Sequence, residues 1–355
     1  MKPVRSGAVQ SNRTAPGVPA WRVLHIFTVP QTLVLVGAQV DALRQQGFEF
    51  RFAASPGNDL DTFAHEHDSK SYGIPMKRAI SPFADLTALV RLIRAIRDFR
   101  PHLVHSHTPK AGLLGMLAST LGRTPARVYQ MRGLLSPTAR GLKRSLFDTV
   151  ERVSCSLAHR VVCQGPSLRD EALRRRLCSA DKAIVLGAGG NGVDATGRFE
   201  PSRHQSSGAQ LRSELGFGPS DLVIGFVGRL VRDKGIEDLL LAWQKLRGVF
   251  TNAHLLLVGP RERRDDLDKE LARGLVSDRR IHQTGIVGNI ESYYAAMVLL
   301  VLPSYREGLP NALLEAAAME LPVVATQVMG CVDAVDDGVT GTLVPARAPE
   351  RLAGA

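Results

Sequence analysis

The stretch Met297–Glu315, MVLLVLPSYREGLPNALLE, decides the reading of this chain. The very apolar run MVLLVLPSYR reads as a strand, and EGLPNALLE, Glu307–Glu315, opens a helix directly after it. Two carboxylates, Glu307 and Glu315, therefore stand at a strand-to-helix corner. In an open parallel α/β sheet, ligands bind outside the carboxyl ends of the strands, and a helix N-terminus there attracts anions. A carboxylate beside such a place calls for hydroxyls, or for a cation that the anion also uses.

Outward from that corner, short apolar strands alternate with amphipathic helical patterns from Trp21 onward, the signature of a mostly parallel sheet covered by helices. Strands are expected at Val23–Phe27, Phe50–Ala54, Leu103–His105, Val128–Gln130, Val161–Cys163 and Ile184–Leu186. Leu86, Leu89, Val90, Ile93, Ile96 and Phe99 recur at helical spacing and predict one packed face. Arg91, Arg94, Arg97 and Arg100 then fall on a solvated face. Periodicity breaks over Gly187–Gln210, which reads as a hinge, and resumes afterwards. Strands follow at Leu222–Val227, His254–Val258, near Ile281, Val298–Leu302 and Val323–Ala325, with helices at Ile236–Phe250, Asp266–Val276, Ile290–Ala296 and Asn311–Met319. The expected domains are a polar tail (1–20), a first domain (21–190), a linker (191–210) and a second domain (211–355).

With 355 residues the chain is long enough for two cores. A net charge of +11 asks for an anionic partner, but only 5% aromatic residues argues against nucleic acid, whose single-stranded binders interleave stacking rings with basic residues. Cys155, Cys163, Cys178 and Cys331 form no CxxC pair, which points to a reducing cytosol. The first twenty residues lack the apolar core of a signal peptide, and no apolar run reaches the ~18 residues of a membrane span. Any membrane contact is therefore expected to be peripheral.

A second loop adds chemistry. LVIGFVGRLVRDKGIEDLLLAW, Leu222–Trp243, reads as strand, loop and helix, with Arg229 and Lys234 on the loop. Two cations at a helix N-terminus make a diphosphate clamp or an ordinary basic loop. The loop carries neither GxxxxGK[ST] nor GxGxxG. VGRLVRDKG followed by LLLVGP and EGLPNALLEA resembles the nucleotide-sugar half of family 4 glycosyltransferases. HSHTPKAGLLGMLA at His105–Ala118 and GNGVD at Gly190–Asp194 resemble the branch that builds bacterial capsule, O-antigen and related glycans. The resemblance runs from about Trp21 to Pro345. It implies an α/β chain of GT-B fold: two doubly wound Rossmann-like domains facing a cleft.

It also implies roles. Arg229 and Lys234 match the cations on the donor diphosphate, Glu315 matches the carboxylate on the ribose hydroxyls, and Glu307 matches the glutamate beside the transferred sugar. The backbone of Gly308, Leu309, Pro310 and Asn311 would cap the sugar and the distal phosphate. Opposite charges placed in advance lower the cost of charge separation as the bond to diphosphate breaks. No metal or other cofactor is expected, because Arg and Lys carry that role. His105 and His107 alternate along one strand and so share a face. The resemblance places His107 near the sugar or acceptor hydroxyl; a structural histidine or a metal ligand are the alternatives, and PKAGLLG supplies no further metal ligand. Lys110 and Arg132 read as acceptor-phosphate contacts or as surface charge.

The leading expectation is a retaining transferase moving a sugar, from a UDP-sugar above all, to a polyprenyl-linked saccharide at the cytosolic membrane face. Alternatives are a nucleotide-sugar epimerase and a silent nucleotide-sugar-binding partner subunit. Basic residues from Lys143 and Arg144 through Arg174–Arg176 suggest docking to anionic lipid, or a merely solvated basic face. Three departures from the family are visible. TVPQTLVLVGAQ lacks paired glycines, MGC at Met329–Cys331 lacks an arginine, and the chain ends at Ala355 where relatives continue through helices. The last predicts donor binding with poor turnover.

Overall fold

The computed structural model describes residues 21–77, 79–261, 274 and 276–355. The 1–20 tail and most of the helix expected over Asp266–Val276 lie outside the described residues. Two compact units are present. One holds the described residues up to Met131 with Thr149–Val162 and Leu177–Lys182; the other holds Arg132–Asp148, Cys163–Arg176 and Ala183–Ala355.

The first sheet contains β1 (Trp21–Ile26), β2 (Phe48–Ala54), β3 (Lys70–Gly73), β4 (Leu103–His107), β5 (Ala126–Met131), β6 (Arg160–Cys163) and β7 (Ala183–Ile184), in the order β3-β2-β1-β4-β5-β6-β7. The pairs β1–β2, β2–β3, β1–β4 and β4–β5 are parallel. The order reverses between β1 and β4, which makes their carboxyl ends the switch point where a doubly wound sheet opens.

The second sheet contains β8 (Leu222–Val227), β9 (Ala253–Val258), β10 (Ile281–Gly285), β11 (Leu299–Leu302), β12 (Val323–Thr326) and β13 (Gly341–Val344), ordered β10-β9-β8-β11-β12-β13 and parallel throughout. Its switch point falls between β8 and β11, the two strands that precede the Arg229–Lys234 loop and Glu307. The unit's core joins Phe226, Trp243, Leu256, Leu300 and Leu302, all nearly inaccessible. Near-continuous apolar strands are what a sheet covered on both faces requires.

Two strands, β3 and β13, were not expected. KSYG and GTLV are short edge strands in which only Val344 is buried, so neither makes an apolar run. The presumed hinge contains a 3-10 turn at Pro201–Arg203 and the start of the helix Gln205–Glu214, which buries only Gly208 and Leu211 and so shows little periodicity. The helix Pro82–Phe99 buries Ala88, Leu92, Ala95, Ile96 and Phe99, whereas Leu86 and Val90 are exposed. Ala88 and Ala95 join Leu92, Ile96 and Phe99 on its buried side, and the helix packs on the helix Pro109–Leu121. Large side chains alone had marked the wrong edge. No helix among the described residues is long and apolar enough to cross a membrane.

Candidate active site

Both loops at the second switch point are shaped by glycine. After β8 the chain makes a 3-10 turn, Arg232–Lys234, and reaches Gly235 at φ +69°. A Cβ there would lie 1.9 Å from the carbonyl oxygen of Pro303, just after β11. Only glycine accepts both that conformation and that approach. The Tyr305 N–H donates to the Asp233 carbonyl at 2.9 Å, and the Arg306 guanidinium donates to Asp233 Oδ2 through Nε at 2.9 Å and Nη2 at 2.5 Å. The two loops are thus clamped together.

The clamp sets Lys234 Nζ 2.5 Å from Glu307 Oε1, with both side chains largely withdrawn from solvent. A cavity of about 130 Å³ opens beside the pair, its walls including Arg132, Arg229, Lys234, Arg306, Asp233 and Glu307. Four cations face two carboxylates, so the cavity favours an anion. It is smaller than the ~300 Å³ at which whole-ligand pockets begin, and suits one charged portion of a larger molecule. Arg132 donates to Asn191 Oδ1 at 3.0 Å, and burial lowers its pKa to about 10, which leaves it charged at neutral pH.

The helix N-termini at the two corners differ. Ile236–Val249 carries Glu237 and Asp238 in its first turn, while Asn311–Ala318 has no acidic residue there and no side-chain cap. The uncompensated amides therefore belong to the second helix. Pro310, its N-cap residue, has no N–H, so the capping role expected of four backbone groups can fall only to Gly308, Leu309 and Asn311.

One helical turn on, Glu315 is half-buried, and its Oε2 accepts a 2.8 Å hydrogen bond from the Tyr294 hydroxyl. Burial raises the Glu315 pKa, and the Tyr294 hydrogen bond and nearby Arg198 offset part of that rise. Tyr294 is itself buried and its pKa is raised well above the usual value by burial and by the Glu315 charge. Arg198 pairs with Glu291 alongside. Sequence reasoning named none of these three: Tyr294 lies in ESYYAA, whose spacing carries no motif.

Other expectations resolve differently. Lys110 is neither a loose surface charge nor directed at a ligand: its Nζ bonds both oxygens of Asp85, at 2.6 and 2.9 Å, and the Ala79 carbonyl. Arg175 is almost wholly buried and pairs with Asp148 at 2.7 Å, and Arg174 pairs with Glu171, so Arg174–Arg176 is not a uniform basic face. Cys331, in the MGC segment, is buried and its thiol is pushed up to about 12 by burial. Two residues on, Asp333 accepts from the Ser167 N–H and hydroxyl at the start of the helix Pro166–Arg174, at 3.1 and 2.6 Å. In the first unit, His107 is completely buried, stacks on Phe27 at 4.1 Å between ring centres, and has Nε2 within 2.9 Å of His25 Nδ1.

The second doubly wound sheet thus carries a basic, carboxylate-paired switch point beside a helix N-terminus free of acidic residues, an arrangement that favours an anion, and sequence comparison supplies the family. Residues 221–355 match the family model described as glycosyl transferases group 1, and residues 34–189 match the glycosyl transferase 4-like domain. The chain belongs to this glycosyltransferase family. It is 32% identical over 325 residues to the capsular polysaccharide biosynthesis glycosyltransferase CapM of Staphylococcus aureus, covering 91% of this chain and 83% of that protein. It is 23% identical to the Escherichia coli UDP-Gal:alpha-D-GlcNAc-diphosphoundecaprenol alpha-1,3-galactosyltransferase, covering 87% of this chain and 80% of that one. Among solved structures, Anabaena HepE in complex with UDP-glucose superposes with a TM-score of 0.76 at 21% identity, over 94% of this chain and 88% of that one. This likeness bears out the GT-B fold.

Proposed function

We propose that this glycosyltransferase acts with retention, moving a sugar from a UDP-sugar to a lipid-linked saccharide in cell-surface polysaccharide synthesis. The observation that carries the reading is the Lys234–Glu307 pair beside the uncapped helix at the second switch point. The relatives' own donors and acceptors support it: a UDP-galactose and a diphosphoundecaprenol acceptor in the E. coli protein, and UDP-glucose in the Anabaena complex. Retention follows from the family resemblance.

In this mechanism Arg229 and Lys234 hold the diphosphate, and the Gly308, Leu309 and Asn311 amides take its distal oxygens. The acceptor hydroxyl attacks the anomeric carbon on the face from which the diphosphate leaves, and its proton passes to a departing phosphate oxygen. Negative charge growing on UDP meets Lys234 and Arg229; positive charge growing on the sugar meets Glu307. No metal or cofactor is needed for that balance. Glu315 accepts from the ribose hydroxyls, and the family resemblance puts His107 near the sugar or the acceptor hydroxyl.

The deciding assay incubates the protein with labelled nucleotide-sugars and short polyprenyl-diphosphate saccharides. Transfer that depends on both substrates is expected. An isomerised sugar formed without acceptor would instead establish an epimerase, and donor binding with no product a silent partner.

Tyr294→Phe gives a pH test of the ribose role. The hydrogen bond it removes is one that lowers the Glu315 pKa, so that pKa rises further. Ribose needs the ionised carboxylate as acceptor, so donor affinity falls as pH drops through the Glu315 pKa. Calorimetric donor titrations across pH should show the loss starting at a higher pH in Tyr294→Phe than in the parent. An unchanged profile would remove Glu315 from the ribose.

We also propose peripheral docking at the inner face of the cell membrane. Phe83, Leu86 and Val90 form an exposed apolar stripe on the helix Pro82–Phe99, with the exposed Arg91 and Arg94 on the same helix. Rings and aliphatic groups beside cations are what an anionic lipid surface selects. Co-sedimentation with liposomes rich in anionic lipid should fall with added salt and in Phe83→Asp; binding indifferent to both would count against docking through this helix.

A further inference from the structure

The first unit brings together three histidines that the sequence keeps apart. His25 on β1 is the direct cross-strand neighbour of His105 on β4, and His107 follows two residues later on the same face. One ring nitrogen from each lies within 4.8 Å of the others, and His25 Nδ1 is 2.9 Å from His107 Nε2. Phe27 stacks flat on His107, and Phe50 and Phe52 stack on His25, so the shell is apolar. A third ligand was what HSHTPKAGLLG lacked. Register across two strands supplies it.

We infer that His25, His105 and His107 form a binding site for a divalent transition metal of the Zn²⁺ or Co²⁺ type. Three imidazoles suit those ions and not Mg²⁺ or Ca²⁺, which require oxygen. Metal–nitrogen bonds of about 2.0–2.1 Å in tetrahedral geometry separate the donors by about 3.3 Å, within the range that small ring rotations reach here. The ion would tie β1 to β4 at the first switch point and leave a fourth position for water or another oxygen ligand. Sugar transfer as proposed above does not use it.

The test titrates Co²⁺ into the full-length protein without a histidine tag and reads visible d–d absorption. One equivalent is expected to give the intense bands of a low-coordinate site, displaced by Zn²⁺, with a rise in Tm. His25→Gln and His105→Gln, checked by circular dichroism for folding, are each expected to weaken Co²⁺ binding more than about tenfold. The second unit holds another histidine pair, His254 and His282, with nitrogens 3.2 Å apart, so His282→Gln serves as the control and should leave the bands unchanged. Absence of the bands, their persistence in both first-unit variants, or their loss in His282→Gln would each overturn the assignment. In the first case the three rings are joined by hydrogen bonds alone.

Discussion

Lys234→Ala is expected to lower kcat/KM for sugar transfer about 10²–10³-fold, the scale set by removing one preorganised charge partner from a transition state. Glu307→Gln should cost a similar factor. The two are not independent, because Lys234 Nζ and Glu307 Oε1 are 2.5 Å apart in a largely withdrawn site. Removing the lysine leaves a partly buried carboxylate without its cation beside the proposed donor site, which repels the anionic donor as well as losing its clamp. The double variant Lys234→Ala/Glu307→Gln should therefore be much less impaired than the product of the single losses, as expected when residues act as a unit. Single-turnover measurements with saturating donor separate the loss of binding from the loss of chemistry. Strictly multiplicative effects would mean that the pair does not operate as one device. Transfer unaffected by either change would remove both residues from the site.

Gly235→Ala should be the most damaging conservative change in the second unit. Its φ of +69° costs an alanine about 1–2 kcal/mol. The added Cβ would meet the Pro303 carbonyl oxygen at 1.9 Å, and relieving such overpacking adds about 1–3 kcal/mol. Neither partner can rotate away, since both are backbone. The loops after β8 and β11 must then separate, which stretches the Asp233–Arg306 clamp and moves Lys234 from Glu307. Denaturant unfolding should show a loss of about 2–5 kcal/mol, the sum of those two costs, and donor affinity should fall with it. Gly248→Ala is the matched control: it lies in the helix Ile236–Val249, and its Cβ would meet nothing within 4 Å. That change should stabilise by about 0.5 kcal/mol through helix propensity. If both variants unfold alike, the close approach of the two loops is not what holds this corner.

The contrast between those glycines shows where sequence reading reaches its limit. VGRLVRDKG and EGLPNALLE were recognisable as loop chemistry because apolar strands flank them and helices follow, and that information is local. The core strands were legible for the same reason, whereas β3 and β13 were not: an edge strand has no buried run to announce it. The helix Pro82–Phe99 was visible and Ile96 and Phe99 are buried as expected, but Ala88, Leu92 and Ala95 complete the inward face where Leu86 and Val90 were expected, because small residues leave little mark in a hydrophobic pattern.

By itself, then, the sequence determined the alternation of strands and helices, the family, and the residue types offered at each corner, since periods of 2 and 3.6 are written in consecutive residues. Only the tertiary structure decided which corners meet. Strand order put β8 beside β11, so that Lys234 found Glu307 across 73 positions. The same nonlocal pairing placed Tyr294 under Glu315, buried Arg175 against Asp148, tied Lys110 to Asp85, and set His25 beside His105 and His107. Each of these depends on register between distant segments, and register is set by how whole faces pack.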